Sequence, residues 1–251
     1  MPVVYVSNPK CGCSTVKNSL KQAQAAHFRR RGIRFEHLPD PHLADDCLRR
    51  RGLDRVDLDG RVLISCARNP YARVLSAYLD KVVGDGYANY RELQGRKPAN
   101  FEDFLETLHR TPPAMLDPHF CPQHINLGLP GVTYDAIFYL ENGAALQGAL
   151  EALLGSFDFA PFAPHSRSAV QKVTTHYTPR AIELAWRIYA QDFDYFGYSR
   201  DTARVAEAPG AYRSTQGIVP LKDEAQLAPS ERTASLKGAI RYQSLIERRL
   251  I

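Results

Sequence analysis

Val3-Val4-Tyr5-Val6-Ser7-Asn8-Pro9-Lys10-Cys11-Gly12-Cys13-Ser14-Thr15-Val16 opens with a β-branched and aromatic run and breaks at Asn8-Pro9. Such a run has the composition of a buried strand, and the small, polar residues after it read as a turn. A helix is expected to start near Ser14, carry Val16, Leu20, Ala23 and His27 at helical spacing, and end where Arg29-Arg30-Arg31-Gly32 places cations and a glycine. The opening is therefore strand, loop, helix, and the loop is the size of an anion site. Backbone N–H groups of such a loop and the positive end of the following helix can cradle a phosphate. Gly12 permits close backbone approach, Ser14 and Thr15 carry hydroxyls, and Lys10 supplies a point charge. A capped helix with Lys10 in solvent is the competing reading of the same residues. The order is not that of a Walker A loop, because Lys10 precedes Gly12.

The alternation continues along the chain. Ile33 to Leu38 is expected as a second strand and Leu43 to Arg51 as a short helix. Arg61 to Cys66 is a clear strand, followed by a helix with Pro70 as its first residue and Val74, Ala77, Tyr78 and Lys81 along one side. Phe101, Phe104, Leu105 and Leu108 mark a helix, Tyr134 to Leu140 a strand, Ala144 to Leu154 a helix, and 179–190 a further helix with Ile182, Ala185, Trp186 and Tyr189 on one face. Strands alternating with helices imply a parallel α/β sheet with crossovers. After about residue 200 periodicity fades, so 201–229 reads as an exposed connector and 230–251 as a C-terminal helix that folds back or pairs two copies into a homodimer.

Composition bounds the function. The chain has 251 residues with 44% apolar and 24% charged side chains, which is ordinary for a globular protein and excludes a disordered tail. Its 32 Lys plus Arg against 27 Asp plus Glu leave a net charge of +5, compatible with an anionic ligand but too weak to argue for nucleic acid. Five cysteines form an odd set and favour free thiols in a reducing compartment. With no transmembrane run and no basic-then-apolar leader in the first residues, a cytoplasmic location is expected. Cys11-x-Cys13 lacks a second Cys/His pair at ligand spacing, so no metal site is expected. The triplets Arg29-Arg30-Arg31 and Arg49-Arg50-Arg51 end expected helices, where cations are favoured without any binding role.

A second segment strengthens the anion reading. Arg68-Asn69-Pro70-Tyr71-Ala72-Arg73-Val74-Leu75-Ser76-Ala77-Tyr78 again follows a strand, placing Arg68 at the carboxyl end where open α/β sheets bind ligands. Arg68 and Ser76, two turns apart, are candidates to grip an anion together.

These segments resemble the sulfotransferases that use 3′-phosphoadenosine 5′-phosphosulfate (PAPS), specifically the Golgi-type carbohydrate sulfotransferases and their bacterial relatives. The first is similar to that family's P-K-x-G-C-[ST]-[TN], the second to its R-N-P-[YFW]-x-R-[LV]-x-S-A-Y. His119-Phe120-Cys121-Pro122-Gln123 with Tyr134-Asp135 to Glu141-Asn142 resembles its H-[WF]-x-P-Q and Y-D-x-I-x-x-x-E segments, and Tyr189 to Tyr198 its closing Y-x-x-D-[FY]-x-x-[FL]-x-Y. The resemblance implies a P-loop-like three-layer fold over residues 1–200, with a central parallel sheet flanked by helices. It also implies that Lys10, Gly12, Cys13, Ser14 and Thr15 hold the 5′-phosphosulfate, Arg68 and Ser76 the 3′-phosphate, and Arg167 a further part of the cofactor. Cys11 stands where relatives vary, and the Trp that some members carry after the Ser/Thr is missing.

Sulfuryl transfer needs a cation for the departing phosphate oxygen and a base for the acceptor proton. Lys10 fits the first role. For the second, His42 ranks first by its position in bacterial relatives, with His37 beside it and His119 as the rival; His27, His109, His165 and His176 are expected to be surface or capping residues. The expected reaction transfers SO3 from PAPS to a hydroxyl of a carbohydrate or similar acceptor without a metal, the acceptor being chosen by residues 84–118. A nucleoside-triphosphate-dependent kinase and a non-catalytic module for nucleotides or sulfated glycans are the alternatives.

Overall fold

A computed structural model describes residues 3–30, 32, 58, 61–83, 85–155 and 168–215. Strand β1 (Val3–Val6) leads through the loop into α1 (Cys13–Arg30), and β2 (Val62–Ala67) into α2 (Pro70–Lys81). Then come α3 (Phe101–Arg110), α4 (Gln123–Leu127), β3 (Ala136–Tyr139), α5 (Gly143–Leu154), α6 (Ser168–Gln171), α7 (Val173–His176), α8 (Pro179–Phe196) and β4 (Tyr212–Arg213). The sheet order is β1-β2-β3-β4. Its first three strands are parallel, in the register Val6↔Ser65 and Ala67↔Tyr139, so their carboxyl ends share one edge.

Alternation along each strand divides the core in two, because successive side chains leave a strand on opposite faces. Val4, Val6, Leu63, Ala67, Ile137 and Tyr139 pack with α2, α3 and α8 on one face. Val3, Tyr5, Val62, Ile64, Cys66, Ala136 and Phe138 pack with Val16 and Leu20 of α1 and Leu146 and Leu150 of α5 on the other. These are the three layers of the expected fold. All three parallel strands are buried throughout, as a sheet covered on both faces requires.

The helices start where their caps dictate. Asn69 accepts from the Tyr71 N–H at the head of α2, with Pro70 behind it, and Thr178 accepts from the Ala181 N–H at the head of α8, with Pro179 behind it. Helix α8 continues past the expected residue 190 until Gly197, at φ 74°, closes it. His27, in line with Val16 and Leu20 by spacing, is exposed, as expected of it as a surface histidine. An 18-residue helix is about 27 Å long and outruns a four-residue strand, so its last turns have no sheet to cover.

The stretch expected as an exposed connector contributes to the sheet. Tyr212 and Arg213 pair antiparallel with Phe138 and Ile137, and the Thr215 hydroxyl accepts from the Tyr134 N–H at 2.6 Å. The expected strand 33–38, the helix 43–51 and the C-terminal helix 230–251 lie outside the described residues. Among the described residues no helix is long and apolar enough to cross a membrane.

Candidate active site

The carboxyl edge of the sheet gathers three chain segments. Beyond β1, Asn8 donates through Nδ2 to the Cys66 carbonyl of β2 at 2.9 Å. Beyond β2, Arg68 donates through NH1 to the Lys10 carbonyl at 3.2 Å, and the Asn69 N–H donates to Glu141 Oε1, just beyond β3, at 2.9 Å. Burial pushes the Glu141 carboxyl up, opposed by the Asn69 N–H and the Tyr198 hydroxyl. The positively polarised end of α1 opens onto the same edge, with Gly12, Cys13, Ser14 and Thr15 half-buried along it. Gly12 has φ 73°, and a Cβ there would stand 2.7 Å from the Leu140 side chain.

Lys10 itself has φ 67°, unusual for a residue with a side chain. This turn sends its ammonium to Asp80 Oδ2 on α2, 3.0 Å away, and the lysine side chain is only 12% exposed. Lys81 meets the same oxygen at 3.0 Å. Burial lowers the Lys10 pKa although Asp80 pulls it up; at Asp80 burial pushes up, and the two ammonium groups overcome it to leave the carboxyl below its ordinary value. The two directions agree once depth is considered, because the lysine is the more buried partner.

Arg68 and Ser76 are both buried, and that burial lowers the Arg68 pKa. A guanidinium keeps its charge regardless. Behind Arg68 lies Gln123, fully buried. Its Oε1 accepts from the Arg68 N–H at 2.9 Å, Asn8 Nδ2 at 3.2 Å and the Cys11 thiol at 3.1 Å, and its Nε2 donates to the Arg68 carbonyl at 2.8 Å. Burial holds the Cys11 thiol up at about 12, so it serves here as a hydrogen-bond donor. Arg73, 1% exposed, donates to three carbonyls at 2.9 Å each: Pro9 through Nε, Cys121 through NH1 and Pro118 through NH2. One side chain thus ties the Lys10 loop to the segment that carries His119.

His119 is one-third exposed. Its Nδ1 stands 2.6 Å from Asp117 Oδ1, which also accepts from the His119 N–H at 2.9 Å, and Tyr90 lies edge-on to the ring. Nδ1–H donation to a carboxylate selects the tautomer whose Nε2 can accept a proton.

The sequence model of the sulfotransferase family matches residues 2–199. The chain belongs to the sulfotransferase family. No curated protein and no solved structure matches it.

In this sulfotransferase the four sequence segments are mutually braced. Asp192 Oδ2 accepts from the Gln123 N–H at 2.7 Å and Oδ1 from the His124 N–H at 2.9 Å, so the closing segment caps α4 and fixes the hub behind Arg68. The Tyr189 hydroxyl donates to the Phe120 carbonyl at 2.6 Å, and that of Tyr198 to Glu141 Oε2 at 2.8 Å. Lys10, Gly12, Cys13, Ser14, Thr15 and Arg68 share the sheet edge, Ser76 lies two turns along α2, and His119 joins through Arg73. His42 and Arg167, with His37 and His165, lie outside the described residues. Sequence reasoning missed Asp80, Arg73, Gln123 and Asp117 as parts of the site. Two of them were visible as fixed members of the quoted motifs, Arg73 between Pro70 and Ser76 and Gln123 after Pro122, but neither had a chemical role to argue from. It also passed over His124, whose Nδ1 pairs with buried Asp192 at 2.7 Å and whose ring stacks on Tyr195, a structural histidine.

Proposed function

We propose that this sulfotransferase takes its sulfuryl group from PAPS and passes it to a hydroxyl of a carbohydrate or similar acceptor. The observation that carries the reading is the convergence of Lys10, the head of α1 and Arg68 on one sheet edge, linked by the Arg68 to Lys10 carbonyl bond. A donor with phosphates at both ends of its ribose needs two cationic grips rather than one. The residues present suit it. Gly12 keeps the loop open where a Cβ would collide, and Asn69 Nδ2 and Asn8 Oδ1 beside Arg68 are buried without a partner. Buried orphan polar atoms are costly and point to a polar ligand.

In this reading Lys10, Gly12, Cys13, Ser14 and Thr15 hold the 5′-phosphosulfate, and Arg68 with Ser76 the 3′-phosphate. PAPS supplies a sulfuryl group on a good leaving group. His119 Nε2 takes the hydroxyl proton as the acceptor oxygen bonds to sulfur, and Lys10 Nζ meets the charge left on the phosphate oxygen as the S–O bond breaks. His42 is the other candidate base. Tyr90, half-buried in the expected acceptor segment, lies edge-on to the His119 ring, so an acceptor seated at His119 would lie near it. Family membership sets aside the kinase and the non-catalytic module.

Calorimetric titration with 3′-phosphoadenosine 5′-phosphate and with ATP tests the donor. Tighter binding of the former by about tenfold or more, some 1.4 kcal/mol, is expected. Equal affinity overturns the assignment of PAPS.

A further inference from the structure

Asp80 has no part in the transfer as written, yet it makes the closest polar contact to the Lys10 ammonium, across 70 residues of sequence. Three independent restraints converge on Lys10. Its backbone is held at φ 67°, its carbonyl is gripped by Arg68, and its side chain ends on the Asp80 carboxylate at 3.0 Å with little solvent around it. A salt bridge chosen only for stability would gain little from a left-handed backbone, which costs about 1 kcal/mol or more in a residue with a Cβ. The arrangement makes sense if the position of the ammonium is what matters.

Resting on the reading of Lys10 as the cation beside the donor's 5′-phosphate, we infer that Asp80 is its positioning residue: the carboxylate seats the Lys10 ammonium at the loop, and the incoming phosphate takes over that contact. Lys10 faces Asp80 and Lys81 from α2 and Arg68 from the end of β2, so Asp80 supplies the negative charge that offsets two neighbouring cations. Burial lowers the lysine's proton affinity and Asp80 raises it. Without the carboxylate, the ammonium loses its proton more readily until a phosphate arrives.

The full chain, with its lysines labelled as 13C-dimethylamines and the Lys10 resonance identified by its loss in Lys10→Arg, allows this to be read without any acceptor. In Asp80→Asn the Lys10 titration midpoint is expected to move to lower pH, and saturating 3′-phosphoadenosine 5′-phosphate to move it back up. The same variant should bind that nucleotide at least as tightly as the wild type, because a competing negative charge has gone. Asp80→Glu, which keeps the carboxylate, should hold the midpoint near the wild-type value. An unchanged or raised midpoint in Asp80→Asn, or weaker nucleotide binding, overturns the role of Asp80 while leaving Lys10 in place. A Lys10 resonance that ignores the nucleotide in the wild type as well overturns both this inference and the reading of Lys10 on which it rests.

Discussion

At Lys10 and His119 the proposed reaction separates two tasks that it also couples. In that proposal the lysine stabilises the departing phosphate oxygen and the histidine removes the acceptor proton, so their losses should differ in kind. Lys10→Ala is expected to lower kcat by about 10²- to 10³-fold, the usual cost of removing one group that stabilises developing charge, while keeping most of the affinity for 3′-phosphoadenosine 5′-phosphate. His119→Ala should lower kcat by about 10²- to 10⁴-fold at saturating acceptor. Asp117→Asn should follow it in the same direction, because the histidine loses the carboxylate that fixes its tautomer. Nucleotide release measured with an acceptor chosen from unsulfated glycans checks all three. Full turnover in His119→Ala, together with its loss in His42→Ala, would transfer the base role to His42.

Helix α2 carries more of the site than any other element, with Asn69 at its head, Arg73 and Ser76 on its buried length and Asp80 near its end. Asn69→Ala removes the cap on the Tyr71 N–H, ordinarily worth about 1 kcal/mol, but also removes a buried Nδ2 that has no partner. The net loss should sit near the low end of the capping range, about 0.5 kcal/mol, as a small fall in the urea midpoint. Arg73→Met is a different case. It strands the buried carbonyl of Cys121, while the half-buried Pro9 carbonyl can turn to water and that of Pro118 keeps Asn126 Nδ2 as a donor, so a loss of about 1 to 2 kcal/mol is expected in the same measurement. It should also weaken nucleotide binding, since Pro9 adjoins Lys10; stability lost with unchanged nucleotide affinity would confine Arg73 to a structural part.

The whole molecule carries a pH signature through its sheet. Asp135, buried just before β3, accepts from the Leu63 N–H of β2 at 2.7 Å. Burial pushes its carboxyl up to about 6, opposed by that N–H. A folded-state value above the unfolded one means that the native protein binds the proton more tightly. Stability from this group is therefore greatest near pH 4 and is lost as pH rises through 6, by up to about 3 kcal/mol. Asp135→Asn should remove that dependence, raising the urea midpoint at pH 7.5 relative to the wild type and changing it little near pH 4; parallel curves for the two proteins would contradict the assignment. The strand, loop and helix at 3–30, the Arg68 segment and the alternation of parallel strands with helices were legible in the sequence because each rests on local pattern, the composition of a buried strand and the recurrence of apolar residues along a helix, whereas the three layers were expected from the family resemblance. Strand β4 was not, since two residues carry no period and pair only because Phe138 and Ile137 present a free edge. The same limit governs the site. The sequence by itself determined which segments bear charge and in what order they meet the sheet edge, because parallel strands bring their following loops to one side. Only the tertiary structure decided that Asp80 holds Lys10, that Gln123 supports Arg68 and that Arg73 ties the His119 segment to the loop. Those bonds close spans of 70, 55 and 64 residues, and the partner of a side chain at such a distance is set by packing rather than by spacing along the chain.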